Sequence, residues 1–117
     1  MKYGIVGSRN FDDLGLVRRF VAKLNDDDVV VSGGARGVDA TAAKSARSRG
    51  LKVIEYKPDW DLLGKSAGYI RNHKIVDESE VLVAFWDGNS KGTQHSILLA
   101  RRAGKKVFIV NKDGSVL

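Results

Sequence analysis

The sequence predicts an α/β fold of Rossmann-like type: a three-layer αβα arrangement with about five parallel strands and helices on both faces. Short apolar runs alternate with stretches of helical periodicity along all 117 residues. The runs are apolar at consecutive positions, as in strands covered by helices on both sides of a parallel sheet. Glycine-rich or polar loops also follow the first four runs, where an open parallel sheet receives its ligands.

The first run, KYGIVG (2–7), is closed by glycine and reads as a strand. DDLGLVRRFVAKLND follows, with Leu14, Val17, Val21 and Leu24 at helical spacing. DVVVSGG (28–34) repeats the strand signal, and VDATAAKSARSRG is an alanine-rich helix that Gly50 ends. LKVIEY (51–56) makes the third strand. KPDWDLLGKS holds the only proline and reads as a loop, leading into a third helix, AGYIRNHKIVDES. EVLVAFW (80–86), the loop DGNSKG, the helix TQHSILLARRAG and the strand KKVFIV (105–110) complete five strands and four helices. NKDGSVL (111–117) reads as a short tail to a single domain spanning 1–117, a size that one hydrophobic core can serve.

Hydrophobic residues make up 43% and charged residues 29% of the chain, as in a soluble folded protein. Cysteine is absent, which excludes disulfides, thiolate metal ligands and thiol nucleophiles. His73 and His95 are far apart in sequence and lack a nearby acidic ligand pattern, so no metal site is expected. No run approaches the roughly 20 apolar residues of a membrane span, so a cytoplasmic location and no membrane partner are expected. The net charge of +6 favours anionic partners. Its clusters at Lys44, Arg47, Arg49 and Lys52, and at Arg101, Arg102, Lys105 and Lys106, equally suit solvated helix ends.

The loop GSRNF brings Gly7, Ser8 and Arg9 to the edge of the sheet, and SGGARGVD brings Ser32, Gly33, Gly34, Ala35, Arg36, Gly37 and Asp39. The glycines let backbone approach a ligand and adopt positive φ, and the N–H groups opening the next helix suit a phosphate. They serve a tight turn equally well. WDGNSKGT repeats the pattern with Ser90, Gly92 and Thr93, and Thr93 is read as a helix cap, a ligand contact or both. Arg9 and Arg71 suit bidentate contact with a phosphate. Asp39, Asp59, Asp61 and Asp87 fall near strand ends, where a carboxylate can hold ribose hydroxyls, act as a base or cap a helix. Trp60 and Trp86 stand where an indole stacks on a base or packs into the core.

Two familiar nucleotide fingerprints fail. GKS at 64–66 suggests a P-loop, but the position five before Gly64 is Asp59 and no strand leads directly into it. The spacing G-x-G-x-x-G is also missing, since the first loop offers Gly4 and Gly7 and the second has adjacent glycines.

Taken in order, GSRNF, SGGARGVD, PDWDLLGKSAGYIRN and WDGNSKGT resemble the YspA-like family of bacterial and phage proteins. That family lies in the superfamily joining the DNA-processing protein DprA with the Lonely Guy proteins. The resemblance covers roughly residues 3–110 and implies a Rossmann-like nucleotide-binding domain. Lonely Guy proteins hydrolyse the N-glycosidic bond of nucleoside 5′-monophosphates with an arginine and with a glutamate in P-G-G-x-G-T-x-x-E. Here Gly92 and Thr93 match that motif, Ser96 takes the glutamate position, and His73 and Lys74 stand opposite an Arg-Lys pair, two residues beyond Arg71. DprA proteins instead bind single-stranded DNA.

The resemblance implies sensing or processing of a nucleotide or nucleotide-derived small molecule, with no cofactor required. A DprA-like single-stranded nucleic-acid-binding module is the alternative. If the chain cleaves an N-glycosidic bond, Asp87 replaces the missing glutamate, Arg71 clamps the 5′-phosphate and Asn72 orients the sugar. A homo-oligomer, a dimer first, is expected from the resemblance and from Ile75, Val76, Ile97, Leu98 and Leu99, read as an outer apolar surface of the last two helices.

Overall fold

The computed structural model describes residues 1–117. Strands β1 (Lys2–Gly7), β2 (Val29–Ser32), β3 (Lys52–Glu55), β4 (Val81–Phe85) and β5 (Lys106–Val110) form one parallel sheet in the order β3-β2-β1-β4-β5. Helices α1 (Leu14–Ala22), α2 (Val38–Ser48), α4 (Ala67–Glu78) and α5 (Lys91–Arg102) are the long connections. A short helix α3 (Trp60–Leu63) and a 3₁₀ turn (Gly64–Ser66) occupy the segment that the sequence suggests is a loop. Asp59 starts α3 by accepting from the Leu62 N–H.

Alternation along the strands sorts the core into two layers. Ile5, Val30, Val81, Val83 and Phe85 face α1 and α2, against Val17, Val21, Val38, Ala42 and Ala46. Val6, Val31, Leu82 and Ala84 face the other way, against Ile75, Val76, Ile97 and Ala100 of α4 and α5. All five residues of β4 are buried, which explains its unbroken apolar run. Arg49 at the end of α2 ties that helix to α1: its Nη1 donates to the carbonyls of Val21 and Leu24, both at 2.7 Å. These acceptors lie at and just beyond the end of α1, and the Val21 carbonyl also accepts from the Leu24 N–H at 3.1 Å.

Two sequence readings are corrected here. Ile75, Val76 and Ile97 are buried in the layer between helices and sheet, and Leu99 packs against it. Of the five residues read as an outer apolar surface, only Leu98 is exposed, because α4 and α5 use wide apolar faces to pack on the sheet and on each other. The apolar argument for a dimer therefore falls. The closing residues also do more than trail: Leu117 N–H donates to Ile109 C=O and Val116 pairs antiparallel with Val110, folding the terminus along β5. The turn at Asp113 and Gly114 makes this return possible, with Asp113 Oδ1 accepting from the Ser115 N–H at 2.9 Å.

Candidate functional site

The strand order reverses between β1 and β4: β1 leads outward to β2, while β4 leads to β5 on the other side. The loops beyond these two strand ends therefore diverge and leave a crevice. Its volume is about 440 Å³, and its walls come from the end of β1, the loops after β1, β2 and β4, and α2, α4 and α5.

Eleven of the residues singled out from sequence line it: Gly7, Ser8, Arg9, Ala35, Asp39, Arg71, Asn72, Asp87, Ser90, Gly92 and Thr93. Asn10, Asn89 and Ser96 line it as well and were not assigned there from sequence. Asn10 and Asn89 adjoin assigned residues in the same loops, so the loops were the available signal. Ser96 lies one turn into α5, and only its alignment with the Lonely Guy glutamate marked it.

Arg71 holds the centre of the arrangement. Its Nη1 donates to the Gly33 carbonyl and its Nε to Asn72 Oδ1 at 3.0 Å, while Nη2 makes no hydrogen bond to the protein. Gly33 has to be glycine for this, since a Cβ there would run into the guanidinium and stand 2.9 Å from Asp39 Oδ2. Gly37 is equally constrained, with φ of 83° and a hypothetical Cβ 2.6 Å from the Arg9 carbonyl oxygen. Neither Gly33 nor Gly37 lines the crevice; both shape its wall.

Asp39 is the buried counterpart of Arg71. Its Oδ2 stands 4.0 Å from Arg71 Nη1 and accepts from the Ala35 N–H at 3.2 Å. It does not cap α2: the N-cap is Gly37, and the Asp39 side chain reaches back across the loop from the first turn. Burial pushes its pKa up to about 6, against the opposing pull of Arg71, the Ala35 N–H and Arg9. Burial likewise lowers the pKa of Arg71; Asp39 opposes the shift and Arg9 adds to it. A guanidinium nonetheless stays charged. Two arginines thus converge on a space whose nearest buried carboxylate resists ionisation.

The β4–α5 loop closes the other wall. Asp87 Oδ1 accepts from the N–H groups of Asn89 at 2.8 Å and Ser90 at 3.0 Å, and these bonds hold its carboxyl below the usual range. The Asp87 N–H in turn donates to the buried Ser8 Oγ at 3.2 Å, joining the loops after β1 and β4. The cap of α5 is Ser90, whose Oγ accepts from the Thr93 N–H, while Thr93 is buried one turn in. The helix starts two residues before the position expected, because a serine at N-cap outcompetes the threonine behind it. Trp86 is half-buried, packs against the α4/α5 layer and donates Nε1–H to the Ser90 carbonyl at 3.0 Å, so it locks this loop.

Trp60 and Gly34 line a second cleft of about 340 Å³ with Lys57 and Pro58. This cleft shares Arg9, Ala35 and Arg71 with the crevice, so the two form neighbouring compartments with a common cationic wall. Trp60 is 51% exposed and its indole is open to a stacking partner. Arg36 points into solvent, and Ser32 is buried beneath the loop with its hydroxyl donating to the Asp39 carbonyl.

Comparison with known proteins agrees with the fold. Residues 5–62, which carry the loops after β1 and β2, match the model of the YspA, cpYpsA-related SLOG family. The Gene 61 protein of Mycobacterium phage D29 is 42% identical over 86 residues, covering 68% of this chain and 69% of the phage protein. Among solved structures, DNA processing protein A (DprA) from Streptococcus pneumoniae superposes with a TM-score of 0.80 at 24% identity, over 92% of this chain. This chain covers 49% of that structure's length, so it corresponds to about half of it. DprA from Helicobacter pylori, which binds single-stranded DNA, superposes with a TM-score of 0.65 at 22% identity, covering 93% of this chain and 64% of its own. The same α/β fold is shared with both, no helix is long and apolar enough to cross a membrane, and the chain belongs to the YspA, cpYpsA-related SLOG family.

Proposed function

We propose that the chain binds a phosphorylated nucleotide in the crevice beyond β1 and β4, with the phosphate against Arg71 and the opening turn of α5. One observation carries this reading: Arg9 and Arg71 converge on a polar crevice at the topological switch point, and Arg71 is held by the protein through only part of its donor set. An anion there relieves the repulsion between the two guanidinium groups and gains charge-assisted hydrogen bonds. The first N–H groups of α5 add a favourable dipole, since the Ser90 hydroxyl satisfies only the Thr93 N–H and its carbonyl only that of Gln94. Sugar hydroxyls have acceptors and donors in Asp39, Asn89 and Ser96 around the same space. The exposed Trp60 of the neighbouring cleft offers a face to a base.

The shared cationic wall favours a second reading, a single strand laid across both compartments with Trp60 and Lys57 under the second nucleotide. The single-stranded DNA binding of the Helicobacter pylori protein gives that reading a precedent on the same fold. Glycosidic hydrolysis rests on Asp87, whose carboxylate is ionised and lines the crevice but is already engaged in holding its own loop.

Backbone and arginine side-chain NMR with adenosine 5′-monophosphate tests the first reading. Shifts are expected at Ser8, Arg9, Ala35, Thr93 and the Arg71 Nε–H, with adenosine much weaker. Equal shifts with adenosine, or shifts confined to the α1/α2 side of the sheet, would count against it.

A further inference from the structure

A chain of hydrogen bonds runs from the α4/α5 surface into the crevice, and its donors and acceptors permit only one assignment. Arg71 Nε can only donate, so the Asn72 atom 3.0 Å away must be the oxygen, Oδ1. The Asn72 amide nitrogen then points the other way, toward the Gly92 carbonyl at 3.3 Å and His95 Nδ1 at 3.2 Å. A donor facing His95 Nδ1 requires that nitrogen to be an acceptor. His95 is therefore neutral, with its proton on Nε2.

We infer that His95 is a positioning residue for Arg71, acting through Asn72, and that protonation of His95 loosens the hold of the protein on the arginine in the crevice. A proton on Nδ1 sets donor against donor. Asn72 is held on both sides, and the rotation of its amide that would meet the charged ring with Oδ1 also gives up its bond to the Gly92 carbonyl. Rotation also presents Nδ2 to Arg71 Nε, again donor against donor, and removes one of the two protein hydrogen bonds of the guanidinium, leaving the Gly33 carbonyl and the Asp39 ion pair.

The surroundings keep the switch poised in its neutral form. The groups facing His95 are Tyr69 and His73 from α4, with ring centroids at 4.8 and 5.7 Å, and Arg102 from its own helix, while Arg71 lies behind Asn72. None of these is a carboxylate, and burial, His73 and Arg102 all lower the His95 pKa. The relay thus holds at neutral pH and opens on acidification.

The inference rests on the proposed role of Arg71 for its functional consequence, but its structural content is measurable without ligand. Long-range proton–nitrogen NMR of the wild-type chain should show His95 as the Nε2–H tautomer at pH 7.5, with the Arg71 Nε–H resolved. On acidification the Arg71 Nε–H should move with the midpoint of His95. His95→Asn places a non-titrating amide acceptor where Nδ1 stood, and should keep the Arg71 signal while abolishing its acid transition. Below the His95 midpoint, His95→Asn should bind adenosine 5′-monophosphate about fivefold or more tighter than wild type at the same pH. An Nδ1–H tautomer at neutral pH, an Arg71 signal indifferent to the His95 midpoint, or a transition that survives in His95→Asn would overturn the inference. Failure of the nucleotide reading looks different: no response to the nucleotide at any pH, with the Arg71–His95 coupling intact.

Discussion

Asp39 sits beside Arg71 with its side chain only 7% exposed, and its raised pKa makes it a measurable drain on stability. Between the unfolded value near 4 and the folded value of about 6 the native state binds more protons than the unfolded one, so this residue's favourable contribution is complete below pH 4 and lost as pH rises through 6. Asp39→Asn removes the titration. The stability of Asp39→Asn relative to wild type should therefore rise by on the order of 2 kcal/mol between pH 4 and pH 7, as measured by urea unfolding. A difference that stays flat across that window would mean Asp39 titrates normally. Arg71 is tested by affinity: Arg71→Ala should weaken binding of a nucleoside monophosphate by about 1.5–3 kcal/mol in calorimetry. Arg71→Lys should not restore it, because one ammonium cannot span the Gly33 carbonyl and Asn72 Oδ1 in the geometry of the fork. At this scale the sequence marked Arg71, Asp39 and Asn72, and Gly33, Ala35 and Gly92 beside them, but not how they pair. Which acceptor an arginine chooses depends on contacts such as Arg71 to Gly33, 38 residues apart, that no local pattern encodes.

Elements were read more fully than residues, because strand and helix periods are local. The apolar runs gave all five strands, and the alternation within them, Ile5 against Val6 and Val30 against Val31, fills both core layers. What escaped was set by competition between neighbours. Ser90 rather than Thr93 caps α5, and Asp59 nucleates a four-residue helix in a segment whose proline and glycine suggested irregular chain. The glycine-rich loop was legible as a place of close approach, and what approaches it is Arg71 at Gly33 and the Arg9 backbone at Gly37. Gly33→Ala tests that approach: the added methyl displaces the Arg71 guanidinium, so nucleotide binding should drop about as far as in Arg71→Ala, with a cost to folding of about 1–3 kcal/mol. Full affinity in Gly33→Ala would show that the arginine does not need the Gly33 carbonyl.

The molecule as a whole carries a net charge of +6, and that field attracts any polyanion. Weak binding of single-stranded DNA is therefore expected at low salt. Its affinity should fall steeply as ionic strength rises and vanish near physiological salt if the surface lysines and arginines are responsible. Retention of tight binding there would favour the reading in which a strand spans both compartments. All but Leu98 of the apolar residues that the sequence suggests for an outer face pack inward, an outcome hidden from sequence because a helix packed on both sheet and neighbour needs a wider stripe than one packed on a sheet alone. The central claim, that this crevice is a site for the phosphate of a nucleotide, is tested most directly by thermal unfolding with adenosine 5′-monophosphate and with adenosine at equal concentration and ionic strength. A ligand bound only by the native state at a hundredfold excess over its Kd adds about 2.7 kcal/mol. The monophosphate should raise Tm accordingly and adenosine should do far less; no shift with any phosphorylated nucleotide at millimolar concentration, or equal shifts with and without the phosphate, would contradict it.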